Sequence, residues 1–321
     1  MEHSGLSRRG LLASAGALGG ALALGQLVRA QEPAQPAAEK PAEPKKPLFE
    51  LSLAEWSLHK ALQEKRLDHL DFPVVARKDY DIGSVEFVNT FFKDKAQDIA
   101  YLHELRKRAD DNGVRCGLIM VDDEGPLAHS DDDLRNEAVK RHRMWLNTAA
   151  FLGCHSLRVN LDGKGSSRTQ RDAAVESLSA LGNYADPLDI RVLVENHGGY
   201  STNPAWLAEV MRLTANKRVG TLPDFGNFKN EDGEEFDRYK GVAELMPWAC
   251  AVSAKSYAFD EKGDETTIDF QRMLKIVVDA GYHSWVGIEY EGEKLSEPDG
   301  IRATKKLLLK VRDVLAATST K

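Results

Sequence analysis

Hydrophobic and polar positions follow two different periods along this chain, and the period switches at regular intervals. Short apolar runs of strand character stand at "LFELSLAEWSL" (48–58), "IGSVEFVN" (82–89), "RCGLIMV" (115–121), "SLRVNL" (156–161), "RVLVEN" (191–196), "VGTLPDF" (219–225), "CAVSAKSY" (250–257) and "WVGIEYEG" (285–292). Between them lie longer stretches, such as 95–113, 132–153, 204–217 and 269–281, in which apolar residues recur every three to four positions. That is the spacing of a helix with one buried face. Asn203-Pro204 and Asp269 are suited to start helices, and Gly113, Gly153 and Gly281 to stop them. A strand followed each time by a helix requires parallel pairing and right-handed crossovers. Eight such units predict an α/β protein, a closed (β/α)8 barrel of the TIM type. The doubly wound alternative needs a Gly-rich phosphate turn after its first strand, and "EWSLHKALQEKRLDH" offers none.

The first residues break this pattern. "SRRGLLASAGALGGALALGQLVRAQ" carries an arginine pair, Arg8-Arg9, then an uncharged Ala/Leu/Gly run, then the small-residue cleavage pattern Val28-Arg29-Ala30. Residues 1–30 therefore read as a signal peptide resembling the twin-arginine type, which is exported already folded. A permanent membrane anchor fits poorly, because the run from Gly10 to Val28 is dominated by Gly and Ala. Residues 31–47, with "EPAQPAAEKPAEPKKP", form a Pro/Ala-rich linker that cannot bury a core and is expected to be disordered. The folded domain is then 48–318, about 270 residues, a normal size for a barrel. This organisation places the protein outside the cytoplasm, in the periplasm.

Charge and cysteine content narrow the function classes. A net charge of −7 and no basic stripe on any helix exclude a nucleic-acid footprint. Cys116, Cys154 and Cys250 are odd in number and match no zinc spacing, so they read as buried thiols.

A barrel concentrates its chemistry at the carboxyl ends of its strands, on side chains that point inward. Strand two ends with Glu86 and Asn89, strand four with Arg158 and Asn160, and strand five with Glu195 and His197. Strand six ends with Asp224 followed by Asn227, strand seven with Ser253, Lys255 and Tyr257, and strand eight with Glu289 and Glu291. Alternate strand residues share a face, so Arg158 with Asn160, Glu195 with His197, Ser253 with Lys255, and Glu289 with Glu291 form same-side pairs. Glu86, Glu195, Asp224, Glu289 and Glu291 would crowd one barrel mouth and repel unless something positive sits among them. A divalent cation, Lys255, Arg158 or a mixture meets that need. An oxygen-rich site with an imidazole nearby suits Mn, Mg or Co, with Zn also admissible. A cation that polarises a carbonyl beside a carboxylate base points to enolisation of a sugar: isomerisation, epimerisation or elimination.

"VLVENHGG", "GTLPDFGNF", "AVSAKSYAF" and "GIEYEGE", in this order on strands five to eight, resemble the xylose-isomerase-like sugar phosphate isomerase/epimerase superfamily. The resemblance covers the chain from about Leu48 to Ala316. It implies metal ligands at Glu195, Asp224 and Glu289, and a fourth, a histidine, where this chain has Ser253. It also implies that Glu195 and Glu289 act as acid and base. His197 would then orient a hydroxyl or carry a second proton, Asn227 would contact substrate oxygens, and Glu86, Arg158 and Glu291 would help to position the substrate, Arg158 being equally suited to pair with a barrel carboxylate. Three outcomes follow from Ser253: the metal persists with His197 or water as a recruited ligand, Lys255 takes over as the fixed cation, or the site only binds sugar. Trp56 and His59 are expected to form an apolar wall against a sugar ring. The loop "SYAFDEKGDETTIDF" (256–270), with Asp260, Asp264 and Glu265, is long enough to cover the mouth but reads better as a solvated turn.

The resulting expectation is an exported isomerase or epimerase acting on a non-phosphorylated sugar or keto-sugar. A 3-keto-glycoside lyase or dehydratase and a non-catalytic carbohydrate-binding barrel are the alternatives. The expected partners are a small sugar and the twin-arginine export machinery, with no nucleic acid and no stable membrane anchor; homo-oligomerisation stays open.

Overall fold

A computed structural model describes residues 47–230 and 232–318. The expected signal peptide, and the expected linker apart from Pro47, lie outside the described residues. All eight apolar runs form strands, each shorter than its run: β1 (Glu50–Ala54), β2 (Ser84–Val88), β3 (Arg115–Met120), β4 (Ser156–Val159), β5 (Arg191–Glu195), β6 (Val219–Leu222), β7 (Val252–Ser256) and β8 (Trp285–Tyr290). They alternate with α1 (His59–Gln63), α2 (Phe72–Tyr80), α3 (Ile99–Asp111), α4 (Asp132–Leu152), α5 (Ser167–Ala185), α6 (Pro204–Thr214), α7 (Arg238–Leu245), α8 (Phe270–Asp279) and α9 (Glu297–Thr318).

The strands pair in the order β6-β5-β4-β3-β2-β1-β8-β7, every pairing parallel. Its two outer members, β6 and β7, meet through the parallel bridges Thr221↔Ala249 and Asp224↔Ser253. There Ser253 N–H donates to the Pro223 carbonyl at 3.0 Å and Phe225 N–H to the Ser253 carbonyl at 3.1 Å. The ring of eight strands is thereby joined through backbone hydrogen bonds.

Local signals set the helix ends. The Asn203 side chain accepts the N–H groups of Ala205 and Trp206 to open α6, and Asp269 accepts that of Arg272 to open α8. Gly153 ends α4 at φ 79°, in the left-handed region that a side chain disfavours. The expected helix over 95–113 begins later, because Asp98 accepts the Tyr101 N–H and caps α3 there.

Strand alternation divides the molecule into two layers. Leu51, Leu53, Val85, Phe87, Leu157, Val159, Val192, Val194, Val252, Ala254, Val286 and Ile288 belong to the large apolar core that also takes in the helices. The intervening residues point into the barrel, where Ala54, Val88, Leu118, Met120, Leu193 and Leu222 form a small apolar plug. The remaining inward positions are polar: Ser52, Glu86, Arg158, Glu195, Ser253, Lys255 and Glu289, all buried. Gly287 shares this inward face, and a Cβ there would stand 2.7 Å from both carboxylate oxygens of Glu86. Glycine at that position is what lets the β2 carboxyl cross toward β8.

Cys116 and Cys154 are buried free thiols as expected, and burial pushes Cys116 up to about 12. Cys250 departs from that expectation: it is half-buried, with Arg191 Nη1 donating to its sulfur at 3.6 Å. Glu265 corrects the reading of 256–270 as a solvated turn. Its carboxylate is buried and accepts the backbone N–H groups of Tyr257 and Ala258 on one oxygen and of Thr267 and Ile268 on the other. The loop after β7 is therefore clipped to the body by one carboxylate, while Asp264 pairs outward with Lys310 at 2.6 Å.

Candidate active site

Inward residues of five strands meet at the carboxyl end of the barrel. Glu195 of β5, Asp224 just past β6 and Glu289 of β8 each offer an oxygen, and these oxygens lie within 4.8 Å of one another. All three residues are buried. Two rigid loops aim them. Asn196 donates to the carbonyls of Asp224 and Asn227, both at 3.1 Å, and accepts the Asp224 N–H at 2.8 Å. Asp224 Oδ1 accepts the N–H groups of Gly226 and Asn227 at 2.7 and 2.9 Å. Asn227 then bridges the site, its Nδ2 donating to Glu195 Oε1 at 3.0 Å and its Oδ1 accepting from Lys255 Nζ at 3.2 Å.

Two fixed cations serve the carboxylates. Lys255 Nζ lies 3.8 Å from Asp224, 3.5 Å from Glu289 and 3.4 Å from Glu291. Arg158 Nη1 donates to Asp122 Oδ1 at 2.6 Å, and its Nε stands 2.8 Å from Glu195 Oε2. That second approach is too oblique for a hydrogen bond, so the pair is ionic and both atoms lack a hydrogen-bond partner. Asn160 Nδ2 donates to the same Asp122 oxygen at 2.8 Å. Ser253, at the position expected to be histidine, donates from Oγ to Glu289 Oε2 at 2.6 Å.

Charge is unevenly shared among these groups. Burial pushes Glu195 up to about 7 against the pull of Arg158, and Asp224 up to about 7 against the pull of Lys255. Burial also presses on Glu289, but Lys255 and Ser253 outweigh it and hold that carboxyl below its ordinary value. Burial opposes the charge on Lys255; Asp224, Glu289 and Glu291 overcome it and raise its pKa well above the usual range. His197 is lowered by its surroundings, then by Arg158 and Lys255, and is a neutral imidazole at neutral pH. His197 itself is exposed and lines the cavity above these groups.

A cavity of about 810 Å³ opens above this cluster, lined by Trp56, Asp122, Arg158, Asn160, His197, Glu289 and Glu291 among others. Five of the expected site residues, Trp56, Arg158, His197, Glu289 and Glu291, are thus on its wall. His59 stacks on Trp56 with ring centroids 5.0 Å apart. Glu195, Asp224, Lys255 and Asn227 are beneath that wall, engaged with one another. Glu86 departs from the expected substrate-positioning role: it is 2% exposed, sits against Gly287, and accepts Ser52 Oγ at 2.5 Å. Burial pushes it up to about 7.

Sequence reasoning passed over Asp122 and Asn196. Asp122 directly follows the run "RCGLIMV" and so stands at the carboxyl end of β3, which was a usable signal. Asn196 sits between two inward residues, where alternation assigns it to the other face; its role as a clasp on the end of β6 has no trace in the pattern.

The three convergent carboxylates form a buried acidic triad suited to a hard divalent metal. Glu195 Oε2 and Asp224 Oδ2 are buried oxygens with no hydrogen-bond partner, which is the condition a metal would relieve. The donor set fits, with oxygen ligands only: Ser253 brings no imidazole.

A parallel α/β barrel with a carboxylate-rich site at its strand ends is the class this geometry defines. The chain belongs to the xylose isomerase-like TIM barrel family, whose sequence pattern matches residues 74–311. Over 77 residues it is 40% identical to the 3'-dehydrocarminate deglycosidase alpha subunit of Microbacterium sp, a match spanning 23% of this chain and 20% of that protein. Only about a fifth of that relative's length is therefore matched. Among solved structures, the D-psicose 3-epimerase of Clostridium cellulolyticum H10, crystallised with D-tagatose, superimposes with a TM-score of 0.65 at 12% identity, covering 82% of this chain and 99% of that one. The 3-keto-D-glucoside 4-epimerase of E. coli gives 0.61 at 14% identity, covering 83% and 100%. The IOLI protein, solved with a bound zinc atom, gives 0.64 at 14% identity, covering 82% and 98%. At such identities the likeness is one of fold.

Proposed function

We propose that this chain is an exported isomerase or epimerase that moves a proton at a carbon beside the carbonyl of a non-phosphorylated sugar or keto-sugar. The observation that carries this reading is the convergence of Glu195 and Glu289 on one centre while their surroundings push their pKa values in opposite directions. Two carboxyls driven apart in this way divide the roles of acid and base.

Glu289 is ionised near neutral pH and reaches the cavity, so it takes the proton. The C–H bond breaks, its electron pair becomes the new C=C bond, the carbonyl π pair moves onto oxygen, and an enolate forms. Arg158, cationic and on the cavity wall, stabilises the developing negative charge. Neutral His197 faces the cavity from the β5 side and returns a proton to carbon or oxygen, with Glu195, pushed up to about 7 beneath the cavity wall, as the second proton carrier when no metal is bound. A divalent metal held by Glu195, Asp224 and Glu289 would supply electrophilic polarisation of the carbonyl and would keep Glu195 ionised, leaving His197 to return the proton. Among the described residues Asp122, Asp123, Glu289 and Glu291 line the cavity with Arg158 as the one cation on its wall, which opposes a phosphorylated substrate.

Elimination is the second reading, favoured by the matched segment of a protein named as a deglycosidase. The same enolate expels a group on the carbon beta to the carbonyl. Incubation of keto-sugars in deuterated water tests both. Exchange lost in Glu289→Gln supports the proton transfer, and the products distinguish an epimer from a released aglycone. Saturable sugar binding without exchange would make the barrel a binding module. We also propose export through the Arg8-Arg9 signal to the periplasm; a Lys-Lys replacement that left periplasmic recovery unchanged would refute it.

A further inference from the structure

A second cavity, of about 320 Å³, adjoins the one above the carboxylate cluster. The two share Asp162 as a wall, and at the turn after β5 Gly198 lines the first and Gly199 the second. The annex is lined by Gln170, Tyr200, Asn230 and Asp232 besides these.

Tyr200, the one aromatic side chain among its described lining residues, is exposed and prearranged. Tyr200 stacks on Trp206 with ring centroids 5.9 Å apart and planes 29° from parallel. Trp206 is itself fixed, its indole N–H donating to the Ser167 carbonyl at 3.0 Å. The turn that carries Tyr200 is held by Ser201 Oγ donating to the Gly198 carbonyl at 2.8 Å and Thr202 Oγ1 to the Gly199 carbonyl at 2.9 Å. The Asp162-Gly163 part of the wall is tied to Ala128: Ala128 N–H donates to the Asp162 carbonyl at 2.8 Å, and a Cβ on Gly163 would stand 2.2 Å from the Ala128 carbonyl oxygen. A partly exposed ring stacked on Trp206 beside amides and carboxylates suits a flat-faced, hydroxyl-bearing ring. Among the described residues no lysine or arginine lines it, so it offers an anion no counter-charge.

We propose that this annex is a second-ring subsite: the substrate is a glycoside whose keto-bearing ring occupies the large cavity and whose other ring, a neutral sugar or aglycone, lies on Tyr200. This rests on the keto-sugar reading above and adds to it the size and charge of the substrate.

The probes are 3-keto-glucosides in matched α and β pairs: the methyl 3-keto-glucosides, with one ring, and 3-keto-trehalose and 3-keto-cellobiose (ketone on the non-reducing ring), with two. Deuterium uptake from solvent gives the concentration for half-saturation, and tryptophan fluorescence gives binding without turnover. The two-ring probe of one anomer should half-saturate at lower concentration than its methyl partner. Tyr200→Ala should remove that advantage, roughly two- to tenfold for one aromatic contact, leave the methyl probe unchanged, and be rescued by Tyr200→Phe. Equal half-saturation of one-ring and two-ring probes, or an advantage that survives Tyr200→Ala, overturns the subsite while the keto-sugar reading stands. Absence of both binding and exchange with every probe overturns both.

Discussion

Ser253 Oγ donates to Glu289 Oε2 at 2.6 Å, so the residue that stands where the family resemblance implies an imidazole ligand instead secures the proposed base. A hydrogen bond to the ionised form favours ionisation. Ser253→Ala removes it, and the pKa of Glu289 rises. The acidic limb of the kcat/KM profile should therefore move to higher pH, with activity at the alkaline side little changed. An unmoved acidic limb would show that Glu289 is not the titrating base.

The metal reading makes a separate demand. Mn2+ binding followed by calorimetry should weaken roughly tenfold or more in Asp224→Asn, since losing even an outer partner of a metal ligand costs about that much. Ser253→His, by adding an imidazole to an all-oxygen set, should tighten it. Indifference of Mn2+ binding to both changes would leave Lys255 and Arg158 as the positive charges that hold the site.

Arg158 lies between Asp122 and Glu195. Arg158→Met leaves two largely buried carboxyls facing each other without their cation. Breaking a buried pair in this way costs about 3–5 kcal/mol, to be read from denaturant unfolding at neutral pH. A loss below about 1 kcal/mol would mean that the pair behaves like a surface contact.

Glu86 is buried and pushed up to about 7 from an ordinary value of 4.5. A carboxyl whose folded pKa is raised adds stability that is complete below its unfolded pKa and is lost as pH rises through the folded one. Wild-type protein should thus lose stability between about pH 5 and pH 8 on account of this group, on the order of 2–3 kcal/mol. Glu86→Gln keeps an acceptor for Ser52 and removes the ionisation, so its stability should fall less over the same interval. Parallel curves for the two proteins would contradict the burial argument.

Much of the site was legible because strand alternation is a strict rule. Arg158 with Asn160, Ser253 with Lys255, and Glu289 with Glu291 could be placed on the inward face from spacing alone, and the ion pairs of Lys255 with Glu289 and Glu291 follow from it. Glu86 shows the limit of the same rule. Alternation turned it inward correctly, but depth along the barrel decides whether an inward acid meets solvent, and depth depends on the neighbouring strands' register and on the space left by Gly287.

Loop carboxylates were the least readable. Asp260, Asp264 and Glu265 look alike in sequence, yet Asp260 caps a turn, Asp264 pairs with Lys310, and Glu265 is buried with four backbone N–H groups. Nothing local separates them, because the donors that draw Glu265 inward come from both ends of a closed loop.

By itself the sequence determined the eight strand and helix units and the inward set of polar residues, since period and alternation are properties of neighbouring positions on one chain. Tertiary structure alone decided which of those acids touch the cavity, that Asp122 and Asn196 join the site, and that Tyr200 faces an annex beside it. Those outcomes depend on the distances between strands and loops far apart in sequence, which only closure of the ring fixes.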